Sequence, residues 1–373
     1  MTTVLVVFGT RPEAIKMAPV VMALRGVPAL KTLVCVTAQH RELLDSVLKL
    51  FEIAPDFDLD VMRPDQSLDE VTATVVTGMG RVLDALRPSL VLVHGDTTTT
   101  MAASLSAFYR KIPVGHVEAG LRSRNLFAPW PEELNRRVAS LATRFHFAPT
   151  MQSRANLLAE GFPDGHIHVT GNTVIDALQW VAARIAASPE KTRALAKRFD
   201  YLDPRRRLVL VTGHRRENFG EGFLDICRAI RKLARRGDVE VVYPVHPNPN
   251  VRSVVDADLS GVDRVFLIEP LDYEPFVYLM QRASILLTDS GGVQEEGPSL
   301  GKPVLVMREV TERPEAVSAG TVRLVGSDTE RIVAEVERLL DNDDAYQAMA
   351  RAINPYGDGL AAQRIGKVLE REL

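Results

Sequence analysis

The chain has 373 residues, and 45 Lys and Arg against 48 Asp and Glu leave a formal charge of −3. That balance excludes a nucleic-acid binder that works through bulk positive charge. A content of 46% hydrophobic and 25% charged residues is that of an ordinary globular protein, and at about 100–200 residues per domain two domains are expected.

In chain order, the apolar run Val4–Phe8 reads as a first strand. Arg11, Glu13 and Lys16 break it too early for a signal peptide, and no apolar stretch is long enough to span a bilayer. A cytoplasmic protein with no membrane partner is expected. Further strands are predicted at Thr32–Thr37, Leu90–His94, Pro113–Val117 and Phe145–Ala148, with helices at Ala14–Leu24, Leu43–Leu50, Leu68–Leu86 and Thr98–Phe108. Continuous apolar strands joined by helices predict a parallel sheet covered on both faces. The charged stretch Pro189–Lys197, Asp203-Pro204 and Arg205–Arg207 read as a linker, 181–207, after a first domain of residues 1–180. The alternation restarts in a second domain, 208–355, with strands at Leu208–Thr212, Val239–Pro244, Arg264–Ile268, Ile285–Thr288 and Pro303–Val306. Phe223–Arg235, Phe276–Arg282, Thr329–Leu340 and Leu360–Leu373 read as helices. Cys35 and Cys227 lie far apart, with no CxxC pair or zinc spacing, so two buried thiols and no metal site are expected.

Doubly wound sheets bind ligands outside the carboxyl ends of their strands. The first strand runs into Gly9-Thr10-Arg11-Pro12-Glu13 and a helix carrying Lys16. Arg11 and Lys16 suit an anion at a helix N-terminus, but a glycine turn with two solvated cations explains the motif slightly better when it stands alone. It is not a dinucleotide fingerprint. Asp96, after Leu90–His94, reads most simply as a helix cap. Glu118 ends a buried strand, where a carboxylate is costly unless paired or functional, and the functional reading is favoured. Glu132 and Arg136 stand at i and i+4, a helix pair worth about 0.3–0.5 kcal/mol at a surface. His214, between Gly213 and two arginines at a strand end, is an anion-ligand or acid candidate, and His246 is a weaker one. The sharpest signal is Asp289-Ser290-Gly291-Gly292-Val293-Gln294-Glu295-Glu296. Ser290 can cap, Gly291 and Gly292 bare N–H groups to a phosphate, and Glu296 lies one turn on, suited to ribose hydroxyls.

Taken together, Gly9–Glu13, His94-Gly95-Asp96-Thr97-Thr98-Thr99, His116–Arg122, Pro131-Glu132-Glu133, Gly213–Asn218 and Asp289–Glu296 resemble the non-hydrolysing UDP-N-acetylglucosamine 2-epimerases of bacteria. Thr311–Glu315 and Asn354–Gly359 extend the likeness over nearly the whole chain. The resemblance implies two Rossmann-like doubly wound domains facing across a cleft, the glycosyltransferase-B type, with residues 356–373 returning as a helix to the first domain. It implies a homodimer that interconverts UDP-N-acetylglucosamine and UDP-N-acetylmannosamine with no cofactor, for cell-envelope polysaccharide. By position it puts Arg11, Lys16, His214, Ser290, Gly291 and Gly292 at the diphosphate, Glu296 at the ribose, and Leu271 and Phe276 at the uracil. Arg313 would reach the substrate, and Asp96, Glu118 and Glu132 would surround the sugar, with Arg136 orienting Glu132. A regulatory site for a second nucleotide sugar would use Gln39, His40, Arg41 and Gln66; where the family has an Arg-Gln pair this chain has Asp65-Gln66. The same scaffold also admits a hydrolysing epimerase, a glycosyltransferase or a non-catalytic nucleotide-sugar sensor.

Overall fold

The structure, a computed structural model, describes residues 1–38, 41–63 and 65–373, the side chain of Arg216 apart. The chain divides into two compact units, Met1–Ala177 with Tyr356–Leu373, and Leu178–Pro355. It therefore passes between the units twice, at 177–178 and at 355–356.

The first unit is built on β1 (Thr2–Phe8), β2 (Leu30–Val36), β3 (Phe57–Asp58), β4 (Leu90–His94), β5 (Val114–Val117), β6 (Thr143–Ala148) and β7 (Ile167–Val169). These form one sheet in the order β3-β2-β1-β4-β5-β6-β7, every pair parallel. Val4, Leu5, Val6, Leu90, Val91, Leu92 and Val93 are fully buried, so these strands carry no polar face. The order reverses between β1 and β4, which opens a crevice at their carboxyl ends. The helices Arg11–Arg25 and Thr98–Tyr109 begin there.

The second unit repeats the plan with β8 (Arg207–Thr212), β9 (Val239–Pro244), β10 (Val265–Ile268), β11 (Ile285–Thr288), β12 (Val304–Val306) and β13 (Val322–Leu324). The order is β10-β9-β8-β11-β12-β13, again all parallel. Phe223, Ile226, Ile230 and Leu233, at helical spacing, form one face of the helix Glu221–Ala234 and join Val209, Val211, Val241 and Tyr243 in the core. Its reversal lies between β8 and β11.

Each expected strand forms, with ends within two residues of the reading. The sheet edges β3, β7 and β13, of two or three residues each, are too short to carry a period. The stretch 181–207, expected as a linker, is largely helical and falls in the second unit. The helix Thr173–Ala186 runs through it, and Ser188 caps a second helix, Pro189–Arg198, through the Lys191 N–H. That second helix buries only Leu195, so its composition is that of a solvated segment. No helix among the described residues is long and apolar enough to cross a membrane.

Candidate active site

In the first unit the crevice is lined by matched charges. The loop after β1 is fixed by Glu13, whose Oε2 accepts the N–H groups of Gly9 and Thr10 at 3.0 and 2.8 Å and the Thr10 hydroxyl at 2.9 Å. Its Oε1 accepts the hydroxyls of Thr97 and Thr100, at 2.6 and 3.2 Å, from the loop after β4. Burial raises the Glu13 carboxyl above the ordinary range, and these hydrogen bonds oppose the rise. Glu118 follows β5 with a left-handed φ of 65°, a strained conformation for a residue with a side chain. Its Oε2 is ion-paired with Lys16, lies 3.8 Å from His94 Nε2, and accepts the Asn172 amide at 3.1 Å. Asp96, after β4, is ion-paired with Arg136, and its carbonyl accepts the Asn135 amide at 3.0 Å. His116 donates Nε2–H to the Gly95 carbonyl at 2.7 Å, and burial pushes its ring down to about 3, so it is neutral.

In the second unit the charges point the other way. Asp289, fully buried after β11, accepts the N–H groups of His214 and Arg215 at 2.8 Å each through Oδ2. Its Oδ1 lies 3.3 Å from His214 Nδ1. The carboxylate thus orients the loop after β8 from behind. Burial lowers the His214 ring below its ordinary range, against the pull of Asp289, and the ring stacks on that of exposed His246 at 5.3 Å. The helix Gly291–Glu296 starts after Ser290, and its polar side chains turn inward to hold other loops. Gln294 accepts the Thr311 hydroxyl at 2.6 Å, Glu295 binds Arg313 Nε at 2.8 Å, and Glu296 accepts the Tyr273 hydroxyl at 2.6 Å. Arg308 forks onto Glu217 and Glu312, tying the loop after β8 to the loop after β12.

Glu118, Asp96, Arg136 and Lys16 are joined by two ion pairs, and half-buried Arg11 opens the helix Arg11–Arg25. Lys16, expected at a diphosphate, is engaged by Glu118. Arg136 does not orient Glu132: its guanidinium reaches Asp96, and Glu133 at 3.3 Å, because the loop after β4 competes with the i, i+4 neighbour. Glu132 keeps a buried Oε2 with no hydrogen-bond partner. Asp96 is not the helix cap; Thr97 is, accepting the Thr100 N–H at 3.1 Å. Ser290 occupies the N-cap position without a side-chain cap bond. Buried Leu271 precedes, and half-buried Phe276 lies on, the helix Tyr273–Arg282. Gly291 stands beside the guanidinium of Arg313, and Gly292 follows it. Arg41 is forked onto Asp58 and reaches Asp60, and Gln66 accepts the Arg63 N–H at 2.8 Å. Gln39 and His40 lie outside the described residues. Missed from sequence were the holding roles of Glu13, Asp289, Glu295 and Asn172. The Gly-Asn-Thr step before an apolar helical run was a usable cap signal for Asn172. Among the described residues no cluster of His, Cys, Asp and Glu could hold a metal ion.

Two Rossmann-like sheets with opposed site chemistry define a class, the glycosyltransferase-B type of fold. A glycosyltransferase from Rickettsia africae shares that fold at 12% identity and a TM-score of 0.64, over 100% of this chain and 98% of its own. Within that class, a model of UDP-N-acetylglucosamine 2-epimerase matches residues 22–370. A UDP-N-acetylglucosamine 2-epimerase of Yersinia pestis is 59% identical over 98% of each chain. The crystal structure of the Neisseria meningitidis UDP-GlcNAc 2-epimerase, bound to UDP-GlcNAc, is 52% identical, with a TM-score of 0.94 over 100% of both chains. The chain belongs to the UDP-N-acetylglucosamine 2-epimerase family, and it is an isomerase.

Proposed function

We propose that the chain interconverts UDP-N-acetylglucosamine and UDP-N-acetylmannosamine by eliminating UDP and adding it back, without hydrolysis. The observation that carries this reading is the group of acidic side chains in the first unit, with Glu118 held by Lys16 and Asp96 by Arg136. The C2 hydrogen of the sugar is not next to a carbonyl, so no side-chain base removes it from the ground state. When the C1–O bond breaks, its electron pair leaves with UDP and positive charge develops at C1. A carboxylate then takes the C2 proton and the C1–C2 double bond of 2-acetamidoglucal forms. Return of a proton to the opposite face of C2, with the diphosphate oxygen closing on C1, gives the epimer.

In this reading Asp96, Glu118 and Glu132 serve the sugar, and Lys16 serves Glu118. Arg11, His214, Arg313 and the N–H groups of Ser290, Gly291 and Gly292 stabilise the departing diphosphate. Glu296 holds the ribose; Leu271 and Phe276 hold the uracil. The reading includes a cytoplasmic homodimer, whose product enters envelope polysaccharide. Exposed Phe108, Tyr109, Leu134 and Leu141, on the neighbouring helices Thr98–Tyr109 and Glu132–Ala142, support a pairing of copies. Product analysis tests the reaction. Incubation with UDP-N-acetylglucosamine should yield both UDP-sugars and no free UDP in proportion to turnover. Stoichiometric UDP and N-acetylmannosamine would make the enzyme a hydrolase instead.

A further inference from the structure

The segment Gly171-Asn172-Thr173 leads from β7 into the helix Thr173–Ala186, along which the chain leaves the first unit. Asn172 is buried, and three of its polar groups hold three different partners. Its Oδ1 accepts the Val174 N–H at 3.0 Å, as a helix cap does. Its Nδ2 donates to Glu118 Oε2 at 3.1 Å. Its backbone N–H donates at 2.7 Å to the carbonyl of Tyr356, the first residue after the chain returns to this unit. The outgoing and returning segments meet backbone to backbone. Gly171 and Gly357 have φ of +93° and +132°, and a Cβ built on either would come within 3.6 and 3.5 Å of the other's Cα. One turn further on, Asp176 accepts the N–H groups of Ala361 and Ala362, at 3.2 and 2.8 Å, at the start of the helix Ala361–Glu372.

We infer that Asn172 is a positioning residue for Glu118, tying its carboxylate to both points at which the chain crosses between the units. The inference rests on the reading of Glu118 as a catalytic carboxylate. The left-handed backbone of Glu118 takes its side chain out of the regular strand alternation, so the groups that grip the carboxylate set its direction. Lys16, His94 and Asn172 all meet the same oxygen. Lys16 is a long chain with many rotamers, whereas the Asn172 amide plane is already fixed by the Val174 bond. Asn172 is therefore the donor that gives the carboxylate a single direction.

Two variants separate positioning from mere structure. Asn172→Asp keeps the Oδ acceptor for Val174 and the backbone bond to Tyr356, but replaces the donor facing Glu118 with a second carboxylate. Asn172→Ser keeps a cap and leaves Glu118 without the amide. At pH 8, Asn172→Asp should lower kcat about 10–100-fold with little change in KM, and Asn172→Ser about tenfold. Between pH 8 and 6 the Asp variant should regain turnover relative to wild type, as one proton comes to be shared by the two carboxyls; the Ser variant should not. Asn172→Ser should melt close to wild type, since Ser also caps; Asn172→Asp should melt lower at pH 8 than at pH 6, because its buried carboxylate faces that of Glu118. An Asn172→Asp enzyme with wild-type kcat and pH profile overturns the inference, as does a loss accompanied by a lower melting point and an unaltered pH profile. Glu118→Gln in the same assay separates the two levels. If it is inactive while Asn172→Asp is normal, only the inference falls; if it turns over like wild type, the catalytic reading of Glu118 falls and takes the inference with it.

Discussion

The carboxyl ends of β1, β4 and β5 and those of β8, β11 and β12 occupy equivalent places in two sheets of like order, and they are filled with opposite chemistry. In the first unit, the crevice carboxylates are matched by cations, Glu118 by Lys16 and Asp96 by Arg136, and only Glu13 is buried behind its loop. In the second, the buried carboxylates work from behind. Asp289 holds the His214 loop, and Glu295 holds Arg313. Arg313 and the N–H groups at the start of the helix Gly291–Glu296 are the cationic and donor groups of that unit. A shared topology thus supplies the place, and in the proposed reaction the sign of the side chains divides the work between proton transfer and anion holding.

The division is broken most directly by substitutions that change rate and affinity separately. Glu118→Gln and Asp96→Asn should each lower kcat about 10²–10⁴-fold, while UDP affinity measured by calorimetry stays near wild type. Weakened UDP binding in Glu118→Gln would erase the contrast. Acid should act on the first unit next. Burial pushes His116 and His146 down to about 3 and about 4, from 6.5 in the unfolded chain. Below pH 6.5 the unfolded state therefore binds protons that the folded state excludes. Stability falls as pH drops, by about 1.4 kcal/mol per unit for each ring, down to its folded value. Urea midpoints taken from pH 7 to 4.5 should show this slope, and His146→Phe should flatten it; equal slopes in both proteins would contradict the assignment. His214→Ala should weaken UDP binding about tenfold as well as slowing turnover, and unchanged affinity would argue against its phosphate role. A change at Gly297, where a Cβ would come within 2.6 Å of Leu286 Cδ1 and Val304 Cγ2, acts on stability before rate. Gly297→Ala should cost about 1–3 kcal/mol in chemical denaturation and displace the Gly291–Glu296 helix that holds Arg313.

Much of this was legible in the sequence because the signals are local. Apolar runs without alternation gave ten of the thirteen strands among the described residues, and a carboxylate at the end of one of them pointed to Glu118. The partners were not legible, because they come from afar. Lys16 lies 102 residues from Glu118, and Asp96 lies 40 from Arg136. A helix neighbour at i, i+4 gains only a few tenths of a kcal/mol, so a better-placed tertiary carboxylate wins. Glu13 shows both halves at once. Thr10 and Glu13 form a capping box readable from spacing alone, whereas the bonds to Thr97 and Thr100 span 84 and 87 residues. The helix Pro189–Arg198 was not legible for the converse reason: one buried leucine leaves almost no period to detect.

In the proposed reaction, departure of UDP makes the C2 hydrogen labile within the folded enzyme. Turnover of UDP-N-acetylglucosamine in heavy water, followed by NMR of the sugar ring, tests it. Deuterium at C2 of the UDP-N-acetylmannosamine formed, and with time at C2 of the remaining substrate, is the predicted result. An epimer that forms while keeping its original C2 hydrogen would contradict it.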